Sequence, residues 1–286
     1  MTIAVAGATG NLGTRIVKAL LARKAGVVAV VRASTSADKV AALHALGAET
    51  ATEIPTHTTC VVSAVQGLRD VIVDAQANLA TAARAVGARF IPSDYSTDYR
   101  ALPPGENRNF DWRRELHERI GPTAVTAIFN GAFAEVLTYG SPLLDRKNQR
   151  VAYFQDADWR MDFTTMDDTA AFTAAAALDD RAPEALRCAS FQVTPRELAA
   201  AATTAFGAPF ELVRLGSLDD LRAKNKADRA AHPEGEGELH PTWQRGMYMQ
   251  SMTSTHHASI DNDRYPEIAW TSVAEFLGAV AKGASR

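Results

Sequence analysis

The chain reads as an α/β protein: a Rossmann-like, doubly wound parallel sheet with a smaller carboxyl-terminal substrate-binding region. Three features predict this. The apolar run Thr2–Ala6 enters the glycine triplet Gly7-Ala-Thr-Gly-Asn-Leu-Gly13 without a linker. Apolar runs and helical periods then alternate through the first half of the chain, and repeated strand–helix–strand units imply parallel strands covered on both faces. Past about residue 150 the rhythm changes. The expected division is a dinucleotide-binding domain over 1–150 and a substrate-binding region over 151–286, with some later strands free to return to the first sheet.

Each element has its own warrant. A short continuous apolar run reads as a buried parallel strand, and Thr2–Ala6 is one. In the next segment Leu12, Ile16, Leu20 and Leu21 recur at helical spacing, opposite Arg15, Lys18, Arg23 and Lys24. Val27–Val31, apolar and β-branched, is the second strand. A helix over about 37–46 ends at Gly47, and Thr50–Thr59 shows no clear period. Cys60–Val65 is a strand closed by Gln66-Gly67; an Ala-rich helix over about 69–86 stops at Gly87. Arg89–Pro92 is a further strand, Ser93–Asn109 a loop with prolines, and Phe110–Ile120 a charged helix leading to a strand over Thr123–Phe129. In the second half Ala170–Leu178 is Ala-rich helix. Thr194-Pro-Arg-Glu197 is a capping box with proline at the first helical position, opening a helix to about Phe206. His232–Glu238, acidic and glycine-rich, is the most loop-like stretch and is expected to be mobile. Trp243–Met252 is aromatic and Met-rich, suited either to a pocket wall or to ordinary core.

Composition narrows the function classes. The chain has 286 residues, 47% hydrophobic and 22% charged, as in a soluble globular protein with one large domain or one plus a companion. A net charge of −3 gives no electrostatic case for nucleic acid or an anionic membrane. No apolar stretch is long enough to span a bilayer, and a core strand at the start argues against a cleavable signal, so the cytoplasm is the default location. Cys60 and Cys188 lie in apolar runs without metal-ligand spacing and read as buried reduced thiols. His256-His257 is adjacent rather than spaced by a helical turn, so no metal site is expected.

The glycine triplet carries the first functional reading. Strand, glycines and helix in that order let the backbone approach a pyrophosphate resting on the helix amino end, which nominates Gly7, Thr9, Gly10, Asn11, Leu12 and Gly13. Ala64, Val65 and Gln66, where the third apolar strand ends, are candidates to border the same cofactor. An NAD site places a carboxylate after the second strand to accept from the ribose 2′-hydroxyl. Here Arg32 stands at that place, followed by Ser34, Thr35 and Ser36. A guanidinium matches the 2′-phosphate of NADP, with Lys39 a second candidate one turn on. NADP(H) is therefore the expected cofactor.

Several segments together resemble the NmrA-like and isoflavone-reductase-like atypical short-chain dehydrogenases. They are Gly7–Gly13, Val30-Val-Arg32 with Ser34-Thr35, Arg89-Phe-Ile-Pro-Ser-Asp94, Asn130-Gly-Ala-Phe133, Asp162–Asp168, and Tyr265–Phe276. The resemblance spans nearly the whole chain. It implies NADP binding, with Asn130 near the cofactor, and a substrate pocket between the Rossmann domain and the smaller region, lined by Asp94, Phe133 and Tyr248. It implies a small-molecule substrate; a homodimer is left open.

The chain departs from the family where chemistry is expected. Isoflavone-type reductases carry a lysine about three residues beyond a phenylalanine in the helix after the Pro-Ser-Asp/Glu loop, and an arginine four residues later. Counted from Phe110, those places hold Arg113 and His117, and no lysine occurs between Lys39 and Lys147. Arginine stays charged, so it can stabilise an anion but cannot shuttle a proton. Tyr95 is the expected proton donor and Arg113 the stabiliser of negative charge. Tyr99 reads more readily as a packed aromatic. His117 is either a titrating group or a solvated helix-face residue. The leading expectation is an NADPH-dependent reductase of an aromatic, quinone-like or enone carbonyl compound. A non-catalytic NADP(H) sensor and a non-redox lyase, isomerase or cyclase are the alternatives.

Overall fold

In the computed structural model, which describes residues 1–138 and 141–283, β1 (Thr2–Ala6) runs up the middle of a parallel sheet. The glycine loop leads into α1 (Asn11–Ala22) and β2 (Gly26–Val30), which pairs with β1; α2 (Ala37–Leu46) then delivers β3 (Glu49–Ala51) to the outer side of β2. On the other side lies β4 (Thr58–Ser63). A π-helical turn, Asp70–Ala75, runs into α3 (Gln76–Ala85), and β5 (Arg89–Ile91) pairs with β4. The order is β3-β2-β1-β4-β5. After α4 (Arg108–Ile120), a parallel bridge between Phe90 and Val125 attaches the chain that becomes β6 (Ala127–Phe129).

Side-chain alternation splits the core into two layers, as strand geometry requires. Ile3, Val5, Cys60 and Val62 face the layer holding Ile16, Val17 and Leu20 of α1. Ala4 and Val61 face the opposite layer, where Ala77, Ala80 and Ala83 of α3 meet Leu116 and Ile120 of α4. Cys60 and Cys188 are fully buried, and burial pushes the Cys60 thiol up to about 12, so both serve as small hydrophobes.

The second half is built from β7 (Ala132–Phe133), β8 (Arg150–Phe154), β9 (Met161–Thr164), α5 (Met166–Leu178), β10 (Ala185–Arg187), β11 (Phe191–Val193), α6 (Pro195–Phe206), β12 (Glu211–Gly216), α7 (Leu218–Ala231), α8 (Thr242–Ser254) and α9 (Val273–Ala281). Two of these belong spatially to the first sheet: β10 pairs in parallel with β6, and α5 packs along α1. The rest form a separate layer. There β9 lies between β7 and β11, β8 pairs with β12, and α6 and α9 close a core around Leu137, Phe163, Leu198 and Leu277.

Most predicted elements lie within a few residues of their expected places. The stretch Thr50–Thr59, expected to lack a period, overlaps the last two residues of β3, an edge strand of three residues, too short to show one. The helix expected at 69–86 starts with the π turn. Helix α5 starts at Met166 rather than about 170, capped by the Thr165 side chain on the Asp168 N–H. Within the stretch His232–Glu238, Pro233–Gly237 forms a 3₁₀ turn whose Gly235 carbonyl accepts from the buried Arg108. Among the described residues no helix is long and apolar enough to cross a membrane.

Candidate cofactor and substrate site

At the carboxyl end of β1 the backbone turns at Gly7, whose φ of +78° suits glycine. A Cβ there would lie 2.5 Å from the Ala64 carbonyl oxygen, and one on Gly13 would lie 2.1 Å from the Gly7 oxygen. The loop is thus pressed against the end of β4, and α1 against the loop. Gly10 caps α1 without a side-chain hydrogen bond, and no acid occupies the first turn. Those free N–H groups and the helix dipole make a cradle for an anion. Thr9, Gly10 and Asn11 are exposed there and Leu12 half-buried; the Asn11 Oδ1 accepts from Arg15 Nε at 3.1 Å.

One strand over, Arg32, Ser34 and Lys39 are exposed, and Arg32 and Lys39 make no ion pair among the described residues. Ala64 and Val65 are half-buried beyond β4, and Gln66 is exposed with its Nε2 3.5 Å from His240 Nε2. The expected cofactor residues of 7–13, 32–39 and 64–66 therefore gather along the carboxyl edge of β1, β2 and β4, where open α/β sheets bind ligands. Asn130 does not join them at the surface. It is fully buried, donating from Nδ2 to Thr169 Oγ1 at 3.1 Å, while its carbonyl accepts from the Thr164 hydroxyl at 2.6 Å. It shapes the β6–β7 turn from inside. A surface depression lined by Arg89, Pro122 and Glu184 lies at the opposite end of the sheet from this edge.

Beside β4, the loop after β5 carries the expected chemistry. The Ser93 hydroxyl donates to the Val65 carbonyl at 2.8 Å, tying this loop to the cofactor edge. Asp94 is 0% exposed; its Oδ1 accepts from the Tyr99 hydroxyl at 2.9 Å and its Oδ2 pairs with His117 Nε2 at 2.8 Å. His117, with its side chain 29% exposed, is thus no solvated bystander. Burial works against its charged form, but the Asp94 carboxylate outweighs that and raises its pKa above the ordinary value. Arg113 holds the same loop: its Nε donates to the Ser93 and Asp94 carbonyls at 3.2 and 3.1 Å, and its Nη1 to the Asn109 carbonyl. Its Nη2 makes no hydrogen bond among the described residues.

Tyr95 points elsewhere. It is 7% exposed and sits in the core layer under α5, its hydroxyl buried without a hydrogen-bond partner. The nearby Thr173 hydroxyl already donates to the Thr169 carbonyl. Burial pushes the Tyr95 phenol well above its ordinary range. The expected proton donor is therefore sealed from the cleft, because the residue after Asp94 turns inward where a loop was expected to present it. Tyr99 is a packed aromatic, stacked on Phe110 at 5.4 Å.

On the substrate side, Phe133 is half-buried on β7. Tyr248 of α8 is half-buried, its hydroxyl accepting from Asn109 Nδ2 at 2.9 Å and its ring edge-on to Phe110 at 5.6 Å. Trp243 and Met247 of the same helix are buried, so that stretch is largely core. Sequence reasoning missed the joint between α8 and α4. Asn107 caps α4 and accepts from Gln244 Nε2 at 2.9 Å. Arg108, buried, donates to the carbonyls of Gly235, Glu236 and Glu238. A signal was present, since Asn107 is a strong helix cap and Arg108 has Trp112 one turn later, where a cation can lie on the ring. Among the described residues no group of three metal-ligating side chains occurs.

A strand–glycine–helix turn at the centre of a parallel sheet with helices on both faces is a Rossmann-type fold. The chain belongs to the NmrA-like family, whose model matches residues 1–223. A search of curated proteins gave no match. Among solved structures, AtPrR2 with NADP+ and (+)-pinoresinol is similar at a TM-score of 0.75 and 22% identity, covering 97% of each chain. The leucoanthocyanidin reductase–NADPH complex from Vitis vinifera has a TM-score of 0.75 and 18% identity, over 99% of this chain and all of that one. A new type of NADPH-dependent quinone oxidoreductase from Escherichia coli has a TM-score of 0.66 and 17% identity, over 97% of this chain and 99% of that one.

Proposed function

We propose that this protein is an NADPH-dependent reductase of a small, planar acceptor, an aromatic, enone or quinone-like carbonyl compound. The observation that carries the reading is the exposed Arg32 guanidinium, in no ion pair among the described residues, beside a glycine cradle with no acid in the first turn of its helix. A 2′-phosphate fits the former and a diphosphate the latter. The similar solved structures support it: one holds NADP+, one is a reductase with NADPH, and one is an NADPH-dependent quinone oxidoreductase.

When bound, the nicotinamide supplies the hydride. The protein holds the diphosphate at Gly7–Gly13 and the 2′-phosphate at Arg32, with Ser34 and Lys39 alongside. Ala64, Val65 and Gln66 border the cofactor, while Asn130 shapes the turn that presents Phe133 to the acceptor. The free Nη2 of Arg113 stabilises negative charge on the acceptor oxygen. Arginine does not release a proton, and Tyr95 is sealed away, so an activated acceptor that tolerates transient negative charge suits the site. The test is NADPH oxidation against quinones, enones and aromatic aldehydes. Turnover with quinone-like acceptors is expected; tight NADPH binding with none turned over overturns the reductase assignment.

The sealed Tyr95 and the carbonyl-bound Arg113 also favour a second reading, a non-catalytic sensor of the NADP(H) pool. It requires unequal affinity for the two redox forms. Titration calorimetry giving equal affinities removes it.

A further inference from the structure

The segment from His232 to Pro241 crosses from α7 to α8, and its residues 232–240 are exposed except for Gly235. Exposed Glu-Gly-Glu-Gly chain would ordinarily be mobile. Arg229 pairs with Glu236 and Trp243 Nε1 donates to the His232 carbonyl at 3.3 Å, but the buried anchor, and the one that holds three of its carbonyls, is the Arg108 side chain, only 3% exposed. The guanidinium lies over the rings of Trp112 and Trp243, 4.6 and 4.9 Å from their centres. From there Nη1 donates to the Gly235 and Glu236 carbonyls at 3.0 and 3.1 Å, and Nη2 to the Glu238 carbonyl at 3.1 Å. The fit is tight: a Cβ on Gly235 would lie 2.6 Å from Trp243 Nε1. Only a planar, multiply donating cation fills such a slot; a lysine matches neither the stacking nor the fork.

The pinned strap leads towards the cofactor edge. Past Glu238 it brings His240 to within 3.5 Å of Gln66, beyond the end of β4. Arg108 also starts α4, the helix carrying Arg113. We propose that Arg108 is a positioning residue that sets residues 232–241 as a cover over the cofactor cleft, so that cleft occupancy and strap order are coupled. The proposal rests on the reading above for where NADP(H) lies.

Glu234, Glu236 and Glu238 make the strap a substrate for glutamyl endopeptidase, which reports its opening under native conditions. In the intact protein, saturating NADPH is expected to slow cleavage there. Arg108→Lys is expected to speed cleavage at the strap about tenfold and, by reciprocity, to weaken NADPH binding, and Trp112→Leu to speed cleavage about threefold by removing one stacking face. The same strap rate in wild type and both variants, acceleration spread evenly over the chain, or a wild-type strap indifferent to NADPH overturns the proposal. With 1,4-naphthoquinone as acceptor, Arg108→Lys is expected to raise the KM for NADPH about tenfold with kcat within threefold; an unchanged KM for NADPH overturns the proposal. Absence of turnover in wild type defeats the reductase reading, while the cleavage rates still decide the strap.

Discussion

Arg32, exposed and in no ion pair among the described residues, is the residue whose replacement discriminates most. Charge-assisted hydrogen bonds contribute about 1.5–3 kcal/mol, so Arg32→Ala is expected to weaken NADP binding roughly 10–100-fold and leave NAD nearly unaffected. Titration calorimetry with both cofactors measures this; parallel losses would remove the 2′-phosphate assignment. His117 gives the second residue-scale prediction. Its pKa is raised in the folded state above the ordinary 6.5, so the folded form holds the proton more tightly than the unfolded chain. The stabilisation is complete below the unfolded value and disappears as pH rises through the folded one. The melting-temperature gap between wild type and His117→Gln is expected to be widest in mild acid and to close at alkaline pH. A gap that widens with pH would contradict the Asp94–His117 pair. The place of Arg32 at the end of the second strand was legible in the sequence, because the apolar run that makes the strand stops there. Tyr95 was not, because a loop residue's direction depends on bonds such as Ser93–Val65 and Arg113–Asp94 that come from distant segments.

Helix starts and glycine contacts decide the element scale. The capping box at Thr194 forms as its spacing predicts, with the hydroxyl accepting the Glu197 N–H at 3.1 Å and the Glu197 carboxylate accepting the Thr194 N–H at 2.8 Å. Thr194→Ala is expected to cost about 1 kcal/mol, read as a shift in the midpoint of urea unfolding. Gly13→Ala carries a heavier expectation, since its new methyl would meet backbone rather than a side chain that can yield. Overpacking of this kind costs about 1–3 kcal/mol, and cofactor binding is expected to be lost with it. A variant that binds NADPH normally would show that α1 does not pack on the loop as described. Elements with a local rule, such as α1, α6 and β1, were legible in the sequence. The edge strand β3 and the pinned turn at 233–237 were not, since one is too short for a period and the other is fixed by Arg108, about 125 residues earlier.

For the whole molecule, the second half is joined to the first through α5 on α1, β10 on β6 and the Gln244–Asn107 hydrogen bond between α8 and the start of α4. A ligand that binds only the folded state stabilises it by mass action: at one hundred times its dissociation constant NADPH adds about 2.7 kcal/mol. Melting is expected to rise by several degrees with NADPH, and much less with NADH. Equal shifts would contradict the cofactor assignment. By itself the sequence determined the parallel sheet, the glycine cradle and the cation at position 32, because each follows from local period or from residues adjacent in the chain. Only tertiary structure decided that Tyr95 faces the core, that His117 pairs with Asp94 and that Arg108 fixes the strap. Those outcomes depend on which distant backbone carbonyls and carboxylates a buried polar group finds, and no local pattern encodes that choice.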